Sequence, residues 1–178
     1  MSHESRIRQH LKKHKGGIVQ AVLVVIALVA VSAFQSRNML STSDSIAPPL
    51  AAPLLRGGTY ELEQASDRPV LVYFFAPWCT YCAFSSDNLT RLRRMRSEES
   101  LEIIAVALSW KDRQEVLDYV DKHDLDLPVL LGDNRVASDW SIYAFPSYYV
   151  LDGEHRIQRR DLGYSTQLGL WWRAWVVD

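Results

Sequence analysis

Between residue 58 and the C-terminus, short unbroken apolar runs alternate with longer stretches of helical spacing, the pattern of an α/β domain. Val70 to Phe75 reads Val-Leu-Val-Tyr-Phe-Phe, a continuous run of the kind that a central strand covered on both faces requires. Cys79 to Arg96 follows as a helix and Leu101 to Leu108 as a second buried strand. Ser109 or Asp112 can cap the next helix, on which Val116, Leu117 and Val120 share a face. Pro128 to Leu131 is a short strand and Val136 to Trp140 a helical turn. Ser147 to Leu151 is a strand that runs through an Asp152-Gly153 turn into a partner near Ile157 to Leu162. Thr59 to Leu62 reads as an edge strand, and a last helix spans about Thr166 to Val176. Trp171, Trp172 and Trp175 lie in that helix at a spacing that points to core more than to a membrane interface.

Upstream the pattern changes twice. Residues 18 to 34, from Ile18 to Phe34, are apolar apart from Gln20 and Ser32, and with Gly16 and Gly17 they approach the ~20 residues that cross a bilayer as a helix. A buried core helix is disfavoured, because this stretch has neither a polar face nor a charge. Residues 35 to 57 lack apolar periodicity and carry Pro48, Pro49 and Pro53 among small residues, so they read as a linker whose ends lie on the order of 25 Å apart. The expected organisation is a basic tail (1–17), a membrane anchor (18–34), a linker (35–57) and one folded domain (58–178).

Charge sharpens the first part of that division. Twenty Lys and Arg against 21 Asp and Glu give a net charge of −1, which argues against a nucleic-acid binder. Locally, Arg6, Arg8, Lys12, Lys13 and Lys15 face only Glu4 before the apolar run. By the positive-inside rule the basic end stays in the cytoplasm and the folded domain lies beyond the membrane, which in a bacterium is the periplasmic side of the inner membrane. A cleaved signal peptide is the competing reading, since Val31-Ser32-Ala33 loosely fits a cleavage site, although the run is long for one. Both readings export the domain.

The candidate chemistry is Cys79 and Cys82, the chain's two cysteines, placed where the first buried strand turns into a helix. A helix N-terminus offers unpaired N–H groups and the positive end of the dipole, and both stabilise a thiolate there. Cys82, one turn further in, is placed to resolve a mixed disulfide formed by Cys79, in an exchange that needs no metal or organic cofactor. As a structural bridge the pair would close a very short loop and contribute little. Two thiolates fall short of a four-ligand zinc shell, and His123 and His155, which read as surface residues, have no ligand-like spacing to them; two-coordinate copper(I) is the metal chemistry left open.

The stretch Val70-Leu71-Val72-Tyr73-Phe74-Phe75-Ala76-Pro77-Trp78-Cys79-Thr80-Tyr81-Cys82 resembles the active-site strand, turn and helix of the thioredoxin superfamily. The likeness extends from about Gly58 onward and is nearest the membrane-tethered TlpA, ResA and DsbE-like branch. Cys82-Ala83-Phe84-Ser85-Ser86 and Gly163-Tyr164-Ser165 resemble the proteins called suppressor for copper sensitivity D. The resemblance implies a thioredoxin-like fold, a central mixed sheet flanked by helices, with an inserted helix and strand for which residues 110 to 131 are the candidate. It implies that the Phe145-Pro146 bond is cis and packs beside the cysteines, so that the backbone of Phe145 can pair with an extended substrate. A plain strand-entry proline is the alternative at that place. Trp78, Thr80, Tyr81, Phe145 and Pro146 are then the implied substrate contacts.

The chain also departs from its likeness. Six residues before the first cysteine thioredoxin has a buried acid, and here Tyr73 stands there; three residues after the second, ResA-like proteins have a glutamate, and here it is Ser85. Proton transfer from Cys82 then falls to water or to a hydroxyl such as that of Tyr73, against the plainer reading of Tyr73 as a strand residue. The whole pattern points to a membrane-tethered thiol–disulfide oxidoreductase acting on exported protein thiols and disulfides; the resemblance implies a reductant, which in an oxidising compartment needs a donor such as a membrane thiol carrier. The alternatives are an oxidase or isomerase, and a copper-binding protein using the same cysteines.

Overall fold

The computed structural model describes residues 17, 19–27, 30, 31, 34, 36–42, 45–65, 67–97 and 99–175, without the side chains of 173–175. The chain divides into two units, Met1–Arg37 and Asn38–Asp178. In the first, residues 19–27 are helical, and Val19, Leu23 and Ile26 are exposed. The expected basic tail (1–17) lies outside the described residues except for Gly17, as do parts of the expected anchor (18–34). No helix among the described residues is long and apolar enough to cross a membrane.

The second unit is built on a mixed sheet of five strands. β3 (Val70–Phe75) is its centre, and all six of its residues are fully buried, as an unbroken run of Val, Leu, Tyr and Phe demands. β4 (Glu102–Ala107) runs parallel to β3, and β5 (Val129–Leu131) parallel to β4. On the other side β6 (Ser147–Leu151) and then β7 (Ile157–Leu162) pair antiparallel, giving the order β5-β4-β3-β6-β7. A separate antiparallel pair joins β1 (Ala51–Pro53) to β2 (Thr59–Glu61).

Three helices connect the strands, α1 (Thr80–Met95), α2 (Arg113–Lys122) and α3 (Asn134–Asp139), and α4 (Gln167–Trp175) follows the last strand. Asp112 is the residue that caps α2, its carboxylate accepting from Glu115 N–H at 2.9 Å. Asp133 caps α3 in the same way. Residues 110 to 131, the candidate insertion, contain α2 and β5.

Because side chains alternate across a strand, β3 sends Leu71, Tyr73 and Phe75 to one face and Val70, Val72 and Phe74 to the other. The first set packs with Leu89 and Leu92 of α1, Val116 and Val120 of α2 and Leu170 of α4. The second packs with Trp140, Leu50, Leu62 and Met39.

Two expectations are corrected. The linker assigned to residues 35–57 is, from Asn38 on, part of the domain: Met39, Leu50, Ala52 and Leu55 are buried, Ala47 N–H bonds His155 O at 2.8 Å, and the Arg160 guanidinium donates to Met39 and Leu40 carbonyls. The segment is a strap whose apolar residues meet a curved surface one at a time, so no period marks it. In α4 it is Leu170 that is buried, whereas Trp171 and Trp172 are exposed; the side chain of Trp175 lies outside the described residues.

Candidate active site

The turn Ala76-Pro77-Trp78 brings the chain from β3 into α1, closed by Cys79 N–H donating to Ala76 O at 3.0 Å. Cys79 is the N-cap of α1, in extended conformation (φ −83°, ψ 109°), and its Sγ accepts from Cys82 N–H at 3.2 Å. A sulfur thus takes the place that a Ser or Asp oxygen takes at other helix starts, among the otherwise unpaired donors of the first turn. The sequence pattern placed Cys79 inside the helix; its role as cap is what aims its side chain back at the helix N–H groups.

Both cysteines are free thiols and differ in access: Cys79 retains 7% exposure and Cys82 none. Burial pushes the Cys82 thiol well above its ordinary range; a hydrogen bond with Cys79 acts the same way, while a backbone contact at Ala76 and the Tyr73 hydroxyl oppose it. Cys82 is therefore a protonated, protected sulfur until a disulfide forms beside it.

Beneath Cys82 lies a group of hydroxyls. Tyr73 Oη donates to Cys82 O at 3.0 Å and Ser86 Oγ donates to the same carbonyl at 3.1 Å. Ser86 Oγ is 2.9 Å from Tyr119 Oη. Desolvation holds the Tyr73 and Tyr119 phenols well above their ordinary value, so both stay neutral. Ser85, also buried, bonds Tyr81 O at 3.0 Å. Among the described residues no group of three or more His, Cys, Asp or Glu side chains gathers to hold a metal ion.

Above the cysteines the surface is aromatic. Trp78 is 62% exposed, yet its indole Nε1 donates to Ser109 O at 3.1 Å and its ring meets Phe145 edge-on at 5.9 Å. One side chain thereby joins the β3–α1 turn, the β4–α2 loop and the Phe145–Pro146 turn, whose peptide bond is cis. That turn is held by Ser147 Oγ on Ala144 O and by Gly163 N–H on Pro146 O, both at 2.8 Å. Gly163 sits at φ +94°, a conformation that disfavours any side chain.

Of the residues singled out from the sequence, Trp78, Cys79, Thr80, Tyr81 and Cys82 thus share one turn, with Trp78, Thr80 and Tyr81 exposed. Phe145 joins them through Trp78, and Pro146 is buried. His123 and His155 are half-buried, not surface residues, and the His123 ring lies 4.7 Å from that of Tyr119. Three features escaped the pattern. Ser109 is placed by its φ of +53° to receive Trp78. Ser86 and Tyr119 come from different helices. Asn88 holds Tyr164 and the Ser165 carbonyl, shaping with Tyr81 and Phe84 a groove of about 370 Å³. A larger hollow of about 470 Å³ between Arg56 and Asp124 holds neither cysteine, and four of its charged residues pair as Arg56–Asp121 and Arg94–Asp124.

Residues 44–160 match the AhpC/TSA family. The chain is similar to a thioredoxin-like protein, YneN, of Bacillus subtilis, with 27% identity over 68% of this chain and 72% of that one. It is also similar to the thiol:disulfide interchange protein DsbE of Xylella fastidiosa, 25% identical over 84% of this chain and 78% of that one. Further thiol:disulfide interchange proteins are matched over about half their length. Among solved structures, the thioredoxin domain of a thiol-disulfide oxidoreductase of Bacteroides vulgatus superposes with a TM-score of 0.69 at 20% identity, covering 78% of this chain and 99% of that one. The fold is thioredoxin-like.

Proposed function

The chain belongs to the AhpC/TSA family, in its thioredoxin-like, thiol:disulfide interchange part, and from that premise we propose that it is a thiol–disulfide oxidoreductase working through Cys79 and Cys82. The observation that carries the proposal is the capping geometry: Cys79 Sγ takes a helix N–H at its start, and Cys82 lies fully buried one turn below it.

The chemistry follows from that asymmetry. The Cys79 thiolate attacks one sulfur of a client disulfide; a Cys79–client bond forms, the client S–S bond breaks, and the leaving client thiolate takes up a proton. Cys82 then attacks Cys79 Sγ, closing the Cys79–Cys82 disulfide and releasing the second client thiol. Two electrons have passed to the client, and no metal or organic cofactor takes part. Trp78, Thr80, Tyr81, Phe145 and Pro146 are the proposed client contacts; exposure of the first three beside Cys79 supports this, and the Trp78–Phe145 contact ties the last two to the same surface.

We assign the reducing direction. Strong oxidants of this kind owe their poise to a stabilised reduced form. Here, among the described residues, the hydrogen-bonding groups at Cys82 are neutral hydroxyls and backbone, which supports a reduced form without special stabilisation. A redox titration should place the pair near thioredoxin, about −270 mV, and not near DsbA, about −120 mV; the latter value would make the protein an oxidase. The proposed setting is the periplasmic face of the bacterial inner membrane, with residues 18–34 as a single-pass anchor and a membrane thiol carrier as electron donor. The basic flank before an uncharged run supports it. Within the family, Cys82-Ala83-Phe84-Ser85-Ser86 and Gly163-Tyr164-Ser165 support a proposed kinship with the suppressor for copper sensitivity D proteins.

The decisive experiment is Cys82→Ala in the full chain, in cells. Cys79 should accumulate mixed disulfides with defined exported proteins, which are the clients. If nothing is trapped in either an oxidising or a reducing background, the oxidoreductase assignment fails.

A further inference from the structure

Cys82 must lose its proton to resolve a mixed disulfide, yet no exposed surface reaches it. The titratable groups facing it are Cys79 on its own helix, Tyr73 from β3 and Tyr119 from α2; Tyr148 from β6 stands behind Tyr73, ring to ring at 5.2 Å, and His123 lies on the outer side of Tyr119. Among the described residues, a thiolate forming at Cys82 would thus meet neutral hydroxyls and no carboxylate. Its stability then depends on whether a buried O–H can turn to it.

The Cys82 carbonyl accepts two side-chain donors, Tyr73 Oη at 3.0 Å and Ser86 Oγ at 3.1 Å. Because Ser86 gives its proton to that carbonyl, the Tyr119 hydroxyl is the donor in the 2.9 Å Ser86–Tyr119 contact. The Tyr73 hydroxyl, placed on the same residue, also acts on the Cys82 thiol, opposing the rise that burial causes. One donor on the carbonyl is thus spare: Tyr73 can turn to the sulfur while Ser86, backed by Tyr119, keeps the carbonyl paired, and no buried acceptor is orphaned. We propose that Tyr73, Ser86 and Tyr119 form a hydroxyl switch in which Tyr73 moves its hydrogen bond from the Cys82 carbonyl to the Cys82 sulfur as that sulfur attacks the mixed disulfide on Cys79. The Cys79–Cys82 bond forms, the Cys79–client bond breaks with its electron pair leaving on the client sulfur, and the proton lost by Cys82 ends there. Tyr73 is a positioning residue, not a base, since its phenol neither gains nor loses a proton in the step.

The inference rests on the oxidoreductase reading, and its test separates the two. The reduced full chain is mixed rapidly with 5,5′-dithiobis(2-nitrobenzoate), whose coloured thiolate is released once when Cys79 attacks and once more when Cys82 resolves. In wild type both phases are expected; absence of the first would sink the oxidoreductase reading itself. Tyr73→Phe, which keeps the ring stacked on Phe75, should slow the second phase by roughly tenfold or more, as loss of a hydrogen bond to a charged group does. It should also displace that phase's pH profile upward and leave the first phase within about twofold. Ser86→Ala should slow the second phase severalfold, because Tyr73 is then held on the carbonyl, and Tyr119→Phe should slow it less. If Tyr73→Phe does not fold, Ser86→Ala decides alone. Second phases that match wild type between about pH 6 and about pH 10 in the folded variants overturn the switch and leave the hydroxyls as core packing.

Discussion

The two faces of the central sheet are made from the same strands and do different work. On the face under α1 and α2, Tyr73 and Tyr119 direct their hydroxyls to the neighbourhood of Cys82, and the cysteines stand at the end of that layer. On the opposite face Tyr149 uses its hydroxyl as a tie, donating to Trp140 O at 2.9 Å and accepting from Leu40 N–H at 3.1 Å, so that the strap and α3 are clamped to β6. Both faces bury tyrosines, but Tyr73 shares its acceptor, the Cys82 carbonyl, with Ser86, while Tyr149 uses its hydroxyl both as donor and as acceptor to hold the chain. Reactivity and stability should therefore separate by face.

The largest effect that sharpens this contrast is on exchange. Cys79→Ser replaces the attacking sulfur by a hydroxyl that does not ionise near neutral pH, so disulfide reductase activity should fall by about a thousandfold or more, with unfolding free energy changed by less than about 1 kcal/mol. A folded Cys79→Ser protein that retained activity would break the assignment. On the other face Trp140 is fully buried against Phe74 and Tyr149, at ring distances of 5.3 and 5.4 Å. Trp140→Ala should cost about 3–5 kcal/mol in denaturant titration, while the folded fraction exchanges disulfides at the wild-type rate within about twofold. An equal loss of activity per folded molecule would mean that the faces are coupled.

The faces also differ in how far their sequence announced them. β3 and β6 have the bounds that their apolar runs indicated, and β7 those expected of the strand that follows the Asp152-Gly153 turn, because each ends at a turn or a proline. The cysteine turn was readable for the same reason: strand, break and helix are local events. The clamp face was not, since Leu50, Ala52 and Leu55 obey no period of their own and are buried by the surface they cross. Trp140 looked like one residue of a helical turn; its burial depends on Tyr149 in the next strand and on Phe74, far away in the chain. The hydroxyl group was half legible. Tyr73 stood out where thioredoxin has an acid, but Ser86 and Tyr119 are 33 residues apart and meet only when two helices pack on one sheet face.

The smallest expected effect is a pH dependence that differs between redox forms. Burial raises Cys82 from an ordinary value of 9.0, so the folded state holds its proton where the unfolded chain releases it. The stability this contributes is complete below about pH 9 and is lost progressively as pH rises beyond it. The oxidised protein has no thiol to ionise and lacks that loss. Tyr149, pushed up by burial to about 12 from 10.0, produces a decline of the same sign from pH 10 upward, and does so in both forms. Unfolding free energies of the oxidised and reduced protein, measured from about pH 8 to about pH 11, should thus diverge first near 9, the reduced form falling faster, before both decline together. Parallel curves throughout that range would mean that the Cys82 thiol is no more protected from ionisation in the folded protein than in the unfolded chain, and the protected second sulfur on which the division between the two faces rests would be gone.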